Sequence, residues 1–156
     1  MMKTPQKGFT LLIAVILTSV LLSVGLALLD VAYKQVVLSS TAKQSQTAFY
    51  AADSALECAL YWDQQEGAFA YGSPSSSVSC TGVSFPVTAS ISNNVQKATF
   101  SVSCSGGGTS AVVEVYKASG GATCSNGKTS CIYANGYNTC DTTNPRRIER
   151  GLKVVY

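Results

Sequence analysis

Residues 9–29 form an unbroken run of 21 uncharged residues, most of them Leu, Ile, Val or Ala. A segment like this needs a home away from water, and that requirement constrains the chain more than any other feature. As a helix rising about 1.5 Å per residue it spans roughly 32 Å, close to the ~30 Å hydrocarbon core of a bilayer. Lys3 and Lys7 precede the run, no acid lies among residues 1–8, and Asp30 ends it. The positive-inside bias then predicts a short cytoplasmic N-terminus, a single pass through the membrane, and everything after Asp30 on the outer side.

Two other fates of the run are open. A secretory signal peptide would end at a small-x-small site, and Gly25-Leu26-Ala27 offers one, with a cut after Ala27. The run is long for that purpose, and no lipobox cysteine lies near it. A plain anchor without processing satisfies hydropathy equally well.

The start of the run is more specific. Lys7-Gly8-Phe9-Thr10-Leu11-Leu12, a base, a glycine, a phenylalanine and then an apolar helix, resembles the class III leader of type IV pilins and pseudopilins. The resemblance implies cleavage between Gly8 and Phe9 by a prepilin peptidase on the cytoplasmic side, N-methylation of Phe9, and retention of the apolar run. Major pilins carry Glu five residues into the mature chain, whereas Ile13 stands there in this sequence. A buried carboxylate at that place is stable only when its charge is paired. The family's exceptions tend to be minor subunits, tip or initiating ones included, so the resemblance points to a minor pilin and leaves methylation of Phe9 open.

The helical pattern continues beyond the membrane. Residues 31–62 contain no Gly or Pro, and Leu38, Ala42, Ser45, Phe49, Ala52, Leu56 and Ala59 recur at steps of four and three. One helix over residues 9 to about 65 is expected, roughly 85 Å long, its second half laying the stripe on a globular head. Gly25 with Thr18, Ser19 and Ser23 supplies small positions where helices approach closely. The string Ala48-Phe49-Tyr50-Ala51-Ala52-Asp53-Ser54-Ala55-Leu56-Glu57 resembles the N-terminal region of minor pilins of the PilX type. Asp53 and Glu57 are like charges one turn apart, mildly unfavourable unless each finds a partner. Arg146, Arg147 and Arg150 are the candidates, and two solvated acids are the plainer reading.

Composition narrows the functional classes. The chain has 156 residues, is 12% charged with a net charge of +3, and contains no histidine. Without histidine no Ser-His-Asp or Cys-His pair exists, and no side chain has an unperturbed pKa near neutrality. No nucleophile is paired with a base at defined spacing, so no enzyme and no cofactor is expected. A small, dispersed excess of base does not make the concentrated face of a nucleic-acid-binding fold.

After Gly67 the composition turns to Ser, Gly and Thr, and Gly72-Ser73-Pro74-Ser75-Ser76-Ser77 reads as a loop. Short β-branched or alternating segments follow at 83–91, 97–103, 111–117, 130–134 and 148–156. Turns at Ser92-Asn93-Asn94, Gly106-Gly107-Gly108 and Gly120-Gly121 separate them. The glycine triplet has no following Lys and Ser or Thr, so it is a hairpin loop and not a phosphate cradle. The expected fold class is α+β: a long N-terminal helix, membrane-spanning in its first half, packed on a small antiparallel sheet of four or five strands. The expected divisions are a leader over 1–8, a transmembrane half over 9–29, an extracytoplasmic half over 30–66 and a stapled head over 67–156.

All six cysteines, Cys58, Cys80, Cys104, Cys124, Cys131 and Cys140, follow the apolar run. Even number and location favour three disulfides, and 15 pairings exist in principle. Cys124 and Cys131 flank a turn and close naturally as a hairpin staple; Cys58 with Cys80 and Cys104 with Cys140 are the weaker assignments. With no Cys-x-x-Cys and no His, no metal site is expected. A head of about 90 residues has a thin core, to which cross-links of roughly 2 to 4 kcal/mol each would matter.

The ending, Gly136-Tyr137-Asn138-Thr139-Cys140 and then Asn144-Pro145-Arg146-Arg147-Ile148-Glu149-Arg150, also looks like that of minor pilin-like proteins, where an Arg-rich last strand closes the sheet. Ile148, Leu152, Val154 and Tyr156 share one face; Arg147, Glu149 and Lys153 share the other. Arg150 interrupts the apolar row and should seek an acid, Asp53 or Glu57. A DNA-binding patch of Arg146, Arg147, Arg150 and Lys153 is the sharper reading of this strand, a solvated face the commoner one. The expected function is assembly: a membrane-held minor subunit, processed by prepilin peptidase, handled by an assembly platform and packed with other pilin subunits into, or priming, an extracellular filament. The rival is a secreted or anchored, disulfide-rich binding or adhesion protein.

Overall fold

Between Gly25 and Gly67 no Gly or Pro interrupts the chain, and nothing there forces a helix to stop. The computed structural model describes residues 7–102 and 108–156, and has one helix, α1 (Lys7–Gln64, 58 residues). Its end is set by a glycine. Gly67 takes φ +61°, the left-handed conformation that glycine adopts after a helix, and the Ala68 N–H reaches back to the Trp62 carbonyl at 2.9 Å. The chain divides into two compact units, Met1–Ala42 and Lys43–Tyr156. The first unit, over its described residues, is helix alone.

In the second unit the described residues form seven antiparallel strands. β1 (Ser77–Cys80) and β2 (Val83–Pro86) make a two-stranded sheet. β3 (Thr88–Ser92), β4 (Val95–Val102), β5 (Ser110–Ala118), β6 (Ser130–Tyr137) and β7 (Glu149–Val155) follow one another as neighbours in a five-stranded meander. The fold is therefore α+β, a long helix packed on antiparallel sheets. Tight turns fix the register. Thr81-Gly82 joins β1 to β2, and Asn93-Asn94 joins β3 to β4, each with both residues at positive φ. Two-residue loops of that kind match the right-handed twist of the strands they connect.

Two expectations are corrected. Residues 83–91 are not one strand: Pro86 has no N–H to offer a ladder, and Val87 donates instead to Ser76 O at 2.9 Å. The chain changes sheets there, β2 pairing with β1 and β3 with β4. The serine run also ends earlier than expected, because Val78 and Cys80 alternate into the core and make Ser77–Cys80 a strand.

The helix face differs too. Ala48, Ala52, Ala55, Leu56 and Ala59 are buried, whereas Phe49 is 42% and Leu38 71% exposed. Ala52, Leu56 and Ala59 of the expected stripe are buried as read, while Leu38 and Phe49 give way to Ala48 and Ala55, so the buried face is made mostly of alanines. Across it lie Phe100, Val113, Val115, Ile132 and Ala134 of the meander, with Phe69 stacked on Phe100 at 6.0 Å between centroids.

Candidate functional site

The first unit offers an apolar surface. None of the most apolar window of α1 is buried, and Phe9 is 64% exposed, so the described part of this unit is long and apolar enough to cross a membrane. A helix that is apolar on all sides has no wet face. Three of its hydroxyls bond back to the helix itself: Thr18 donates to Ala14 O at 3.0 Å, Ser19 to Ile16 O at 2.8 Å and Ser23 to Val20 O at 2.8 Å. Hydroxyls bonded in this way do not need water, as a lipid environment demands. Gly25 has nothing within 4 Å of a Cβ position. Charge returns one turn past the run, where Lys34 pairs with Asp30 at 2.7 Å, acid first, the better orientation on a helix. Ile13 lies within the uncovered stretch, and residues 1–6 of the leader lie outside the described residues.

The second unit is held together by contacts between elements far apart in sequence. Gly136 of β6 lies against the backbone of Ala48 and Ala52, close enough that any Cβ there would collide. Near the helix end, the Asp63 carboxylate, with only 2% of its side chain exposed, accepts from Lys117 Nζ at 2.5 Å. The same oxygen accepts from the Tyr156 hydroxyl. Burial, then the Asp63 carboxylate, pushes the Tyr156 phenol well above its ordinary range. Gln96, fully buried on β4, accepts from Gly72 N–H at 2.7 Å and donates to the carbonyls of Phe69 and Ala70 at 3.3 Å each. These bonds fasten the segment after the helix to the sheet.

The outer face of the meander, away from the helix, carries aromatic and charged side chains in register. Glu114 sits between Thr99 and Tyr133, and Tyr116 between Lys97 and Cys131. Lys97 Nζ meets Glu114 Oε1 at 2.7 Å, and the Tyr116 hydroxyl donates to Glu114 Oε2 at 2.8 Å. The lysine holds the Glu114 carboxyl below the usual range, and burial followed by Glu114 raises the Tyr116 phenol. Tyr116 and Tyr133 meet edge to face at 5.5 Å. The Lys153 ammonium stands 5.1 Å from the Tyr133 ring and donates to Ser125 Oγ at 2.7 Å.

The residues singled out from sequence fall as follows. Cys58 is bonded to Cys80, joining α1 to β1, and Cys124 to Cys131, stapling a loop to β6. Cys104 lies outside the described residues, and with it the expected Cys104–Cys140 bond. Arg150 does not reach Asp53 or Glu57: its Nε donates to Ser45 Oγ at 2.7 Å. The alanine stripe turns Glu57 outward, so the acid that the helix does bury is Asp63 and its cation comes from β5. Arg150 faces the helix side, while the Arg147 guanidinium stacks on the Tyr137 ring at 3.7 Å and Lys153 belongs to the outer face, so the basic residues do not converge on one patch. Among the described residues no group of three His, Cys, Asp or Glu could hold a metal ion.

Asp63, Gln96 and the Glu114–Tyr116–Tyr133 group escaped the sequence reading. Only the alternation of Tyr133, Asn135 and Tyr137 along β6 hinted at the last of these. Compared with known protein families, with curated proteins and with solved structures, the chain finds no match.

Proposed function

We propose that this chain is a minor type IV pilin-like subunit: made with a leader ending at Gly8, held in a membrane by the apolar part of α1, and extracted and packed with other pilin subunits by an assembly platform. Its action is assembly and not catalysis. The observation that carries this reading is the helix itself. α1 runs unbroken from uncovered apolar residues beginning at Phe9 to the alanine face that seats a disulfide-stapled sheet. A chain whose only task was secretion would lose that apolar stretch, while a filament subunit uses it twice, first in lipid and then against its neighbours' helices. Lys7-Gly8-Phe9 stands where prepilin peptidase would act. Arg146, Arg150 and Lys153 are exposed, as befits the outside of a filament, and a solvated strand face accounts for them better than a nucleic-acid track.

The test is the mass of the mature N-terminal peptide from the native host. The expected peptide begins at Phe9, methylated or not. A chain beginning at Leu28 or at Met1 would overturn the proposal and leave a secreted or anchored binding protein.

A further inference from the structure

The outer face of the five-stranded sheet holds a concave site of about 220 Å³, lined by Glu114, Tyr116, Tyr133, Asn135 and Cys124. That is below the roughly 300–1,000 Å³ of sites for drug-sized ligands and suits a single ring. Another cavity, of about 350 Å³, lies beside Thr47, Tyr50 and Ser54, and no ionisable side chain but a tyrosine lines it. The smaller site has both carboxylate and amide. We propose that it binds one neutral hexopyranose unit of a glycan.

The argument rests on what is fixed and what is free. Glu114 is immobilised by one bond to each oxygen, from Lys97 and from the Tyr116 hydroxyl. A carboxylate oxygen accepts more than one hydrogen bond, so both keep capacity for a sugar hydroxyl. Asn135 lies between Tyr133 and Tyr137 on the same strand face, and its side chain makes no hydrogen bond among the described residues. Its neighbour across the sheet is Gly151, where a Cβ would stand 2.9 Å from Asn135 Oδ1; the missing side chain lowers the rim and leaves the amide room. An amide has both donors and an acceptor, which complement the paired donor and acceptor character of vicinal hydroxyls. The two tyrosines meet edge to face and supply an apolar wall for the C–H face of a pyranose.

Charge chooses among ligands. No cation lines the site: its one charged lining residue is Glu114, which Lys97 already neutralises, while Lys153 and Arg147 are held on the Tyr133 and Tyr137 rings and are not part of the lining. A polyanion needs cations free to neutralise its phosphates, whereas a neutral sugar needs only hydrogen-bonding groups already held in place. The site lies wholly within the second unit, and its occupancy is independent of how the N-terminus is processed.

The experiment is ligand-observed saturation-transfer NMR on the full chain in micelles of a detergent without a sugar headgroup. The probes are the methyl pyranosides of glucose, galactose, mannose and N-acetylglucosamine, with a short single-stranded oligonucleotide alongside. At least one glycoside is expected to bind, with a dissociation constant on the order of millimolar for so small a ligand. Asn135→Ala and Glu114→Gln should each weaken it about tenfold, and Tyr50→Ser, at the other cavity, should leave it unchanged. Asn135 makes no hydrogen bond that folding needs, so its variant remains informative if Glu114→Gln unfolds. No binding of any glycoside, binding indifferent to Asn135→Ala, or an oligonucleotide bound in place of the sugars with the same dependence on Asn135 would each overturn the proposal.

Discussion

Gly136 and Ala52 are in backbone contact: a Cβ added to Gly136 would stand 2.9 Å from Ala52 Cα and would collide with the Ala52 nitrogen and the Ala48 carbonyl oxygen. A helix can come this near a sheet only where both surfaces lack side chains. This explains why the buried stripe reads Ala48, Ala52, Ala55, Ala59 and why Phe49 is turned out. It also accounts for a residue without a side chain at the penultimate position of β6, where glycine would otherwise weaken the sheet.

Gly136→Ala should therefore destabilise the head by about 2–3 kcal/mol or more, since backbone on the helix cannot yield as a side chain tip would. Thermal unfolding followed by circular dichroism should show the transition lowered by roughly 10 °C. Gly25→Ala, at a position with nothing within 4 Å, should leave that transition where it is. Equal transitions for Gly136→Ala and the parent chain would refute the close-approach account.

Much of this architecture was legible. The helix was expected to end near residue 65 and ends at Gln64, and the Asn-Asn turn and the strand at 111–117 stand where they were read. These features are local, set by breakers, turn chemistry and period. What escaped notice depended on distance. An apolar stripe drawn from hydrophobicity favours Phe49, because the spacing of helix and sheet is dictated by Gly136, 87 positions away. Arg150 was assigned an acid for the sake of its charge, yet it satisfies itself on the Ser45 hydroxyl. Asp63 carries no local signal, because its partners Lys117 and Tyr156, which flank Ser130 at one end of the meander, are far from it in sequence.

The Asp63 contacts predict an order of effects. Removing the carboxylate with Asp63→Ala strands a partly buried ammonium and costs about 2–4 kcal/mol. Tyr156→Phe leaves the Asp63–Lys117 pair intact and removes one hydrogen bond, costing about 1 kcal/mol. Urea unfolding of the two variants should give midpoints in that order. The reverse order would mean that burying the carboxylate costs more than its two partners return, and would refute a stabilising role for the pair.

Gln96 makes the third prediction. Gln96→Leu keeps the volume roughly but leaves the Gly72 N–H and two carbonyls without their partner, a loss of about 2–3 kcal/mol. Gln96→Glu should be no better, because a carboxylate cannot donate to the Phe69 and Ala70 carbonyls. Limited proteolysis should then cut first between α1 and β1, around Phe69 to Ser73. Cleavage elsewhere, with that segment still protected, would show that the glutamine does not fasten it.

Alkali should test the phenols. Burial raises Tyr156, Tyr116 and Tyr137, with Asp63, Glu114 and Glu149 respectively adding to it, so each holds its proton in the folded chain beyond the ~10 at which an unfolded tyrosine loses it. A group whose folded pKa is raised stabilises the fold fully below the unfolded value and loses that contribution as pH rises through the folded one. Stability is therefore expected to be flat with respect to these groups near neutrality and to fall from about pH 10 upward. Tyrosinate absorbance should show a late-titrating fraction of the eight tyrosines, diminished in Tyr156→Phe, and the same variant should lose stability less steeply above that pH. A Tyr156→Phe profile that falls as steeply as the parent's would show that the hydroxyl on Asp63 is not what resists ionisation.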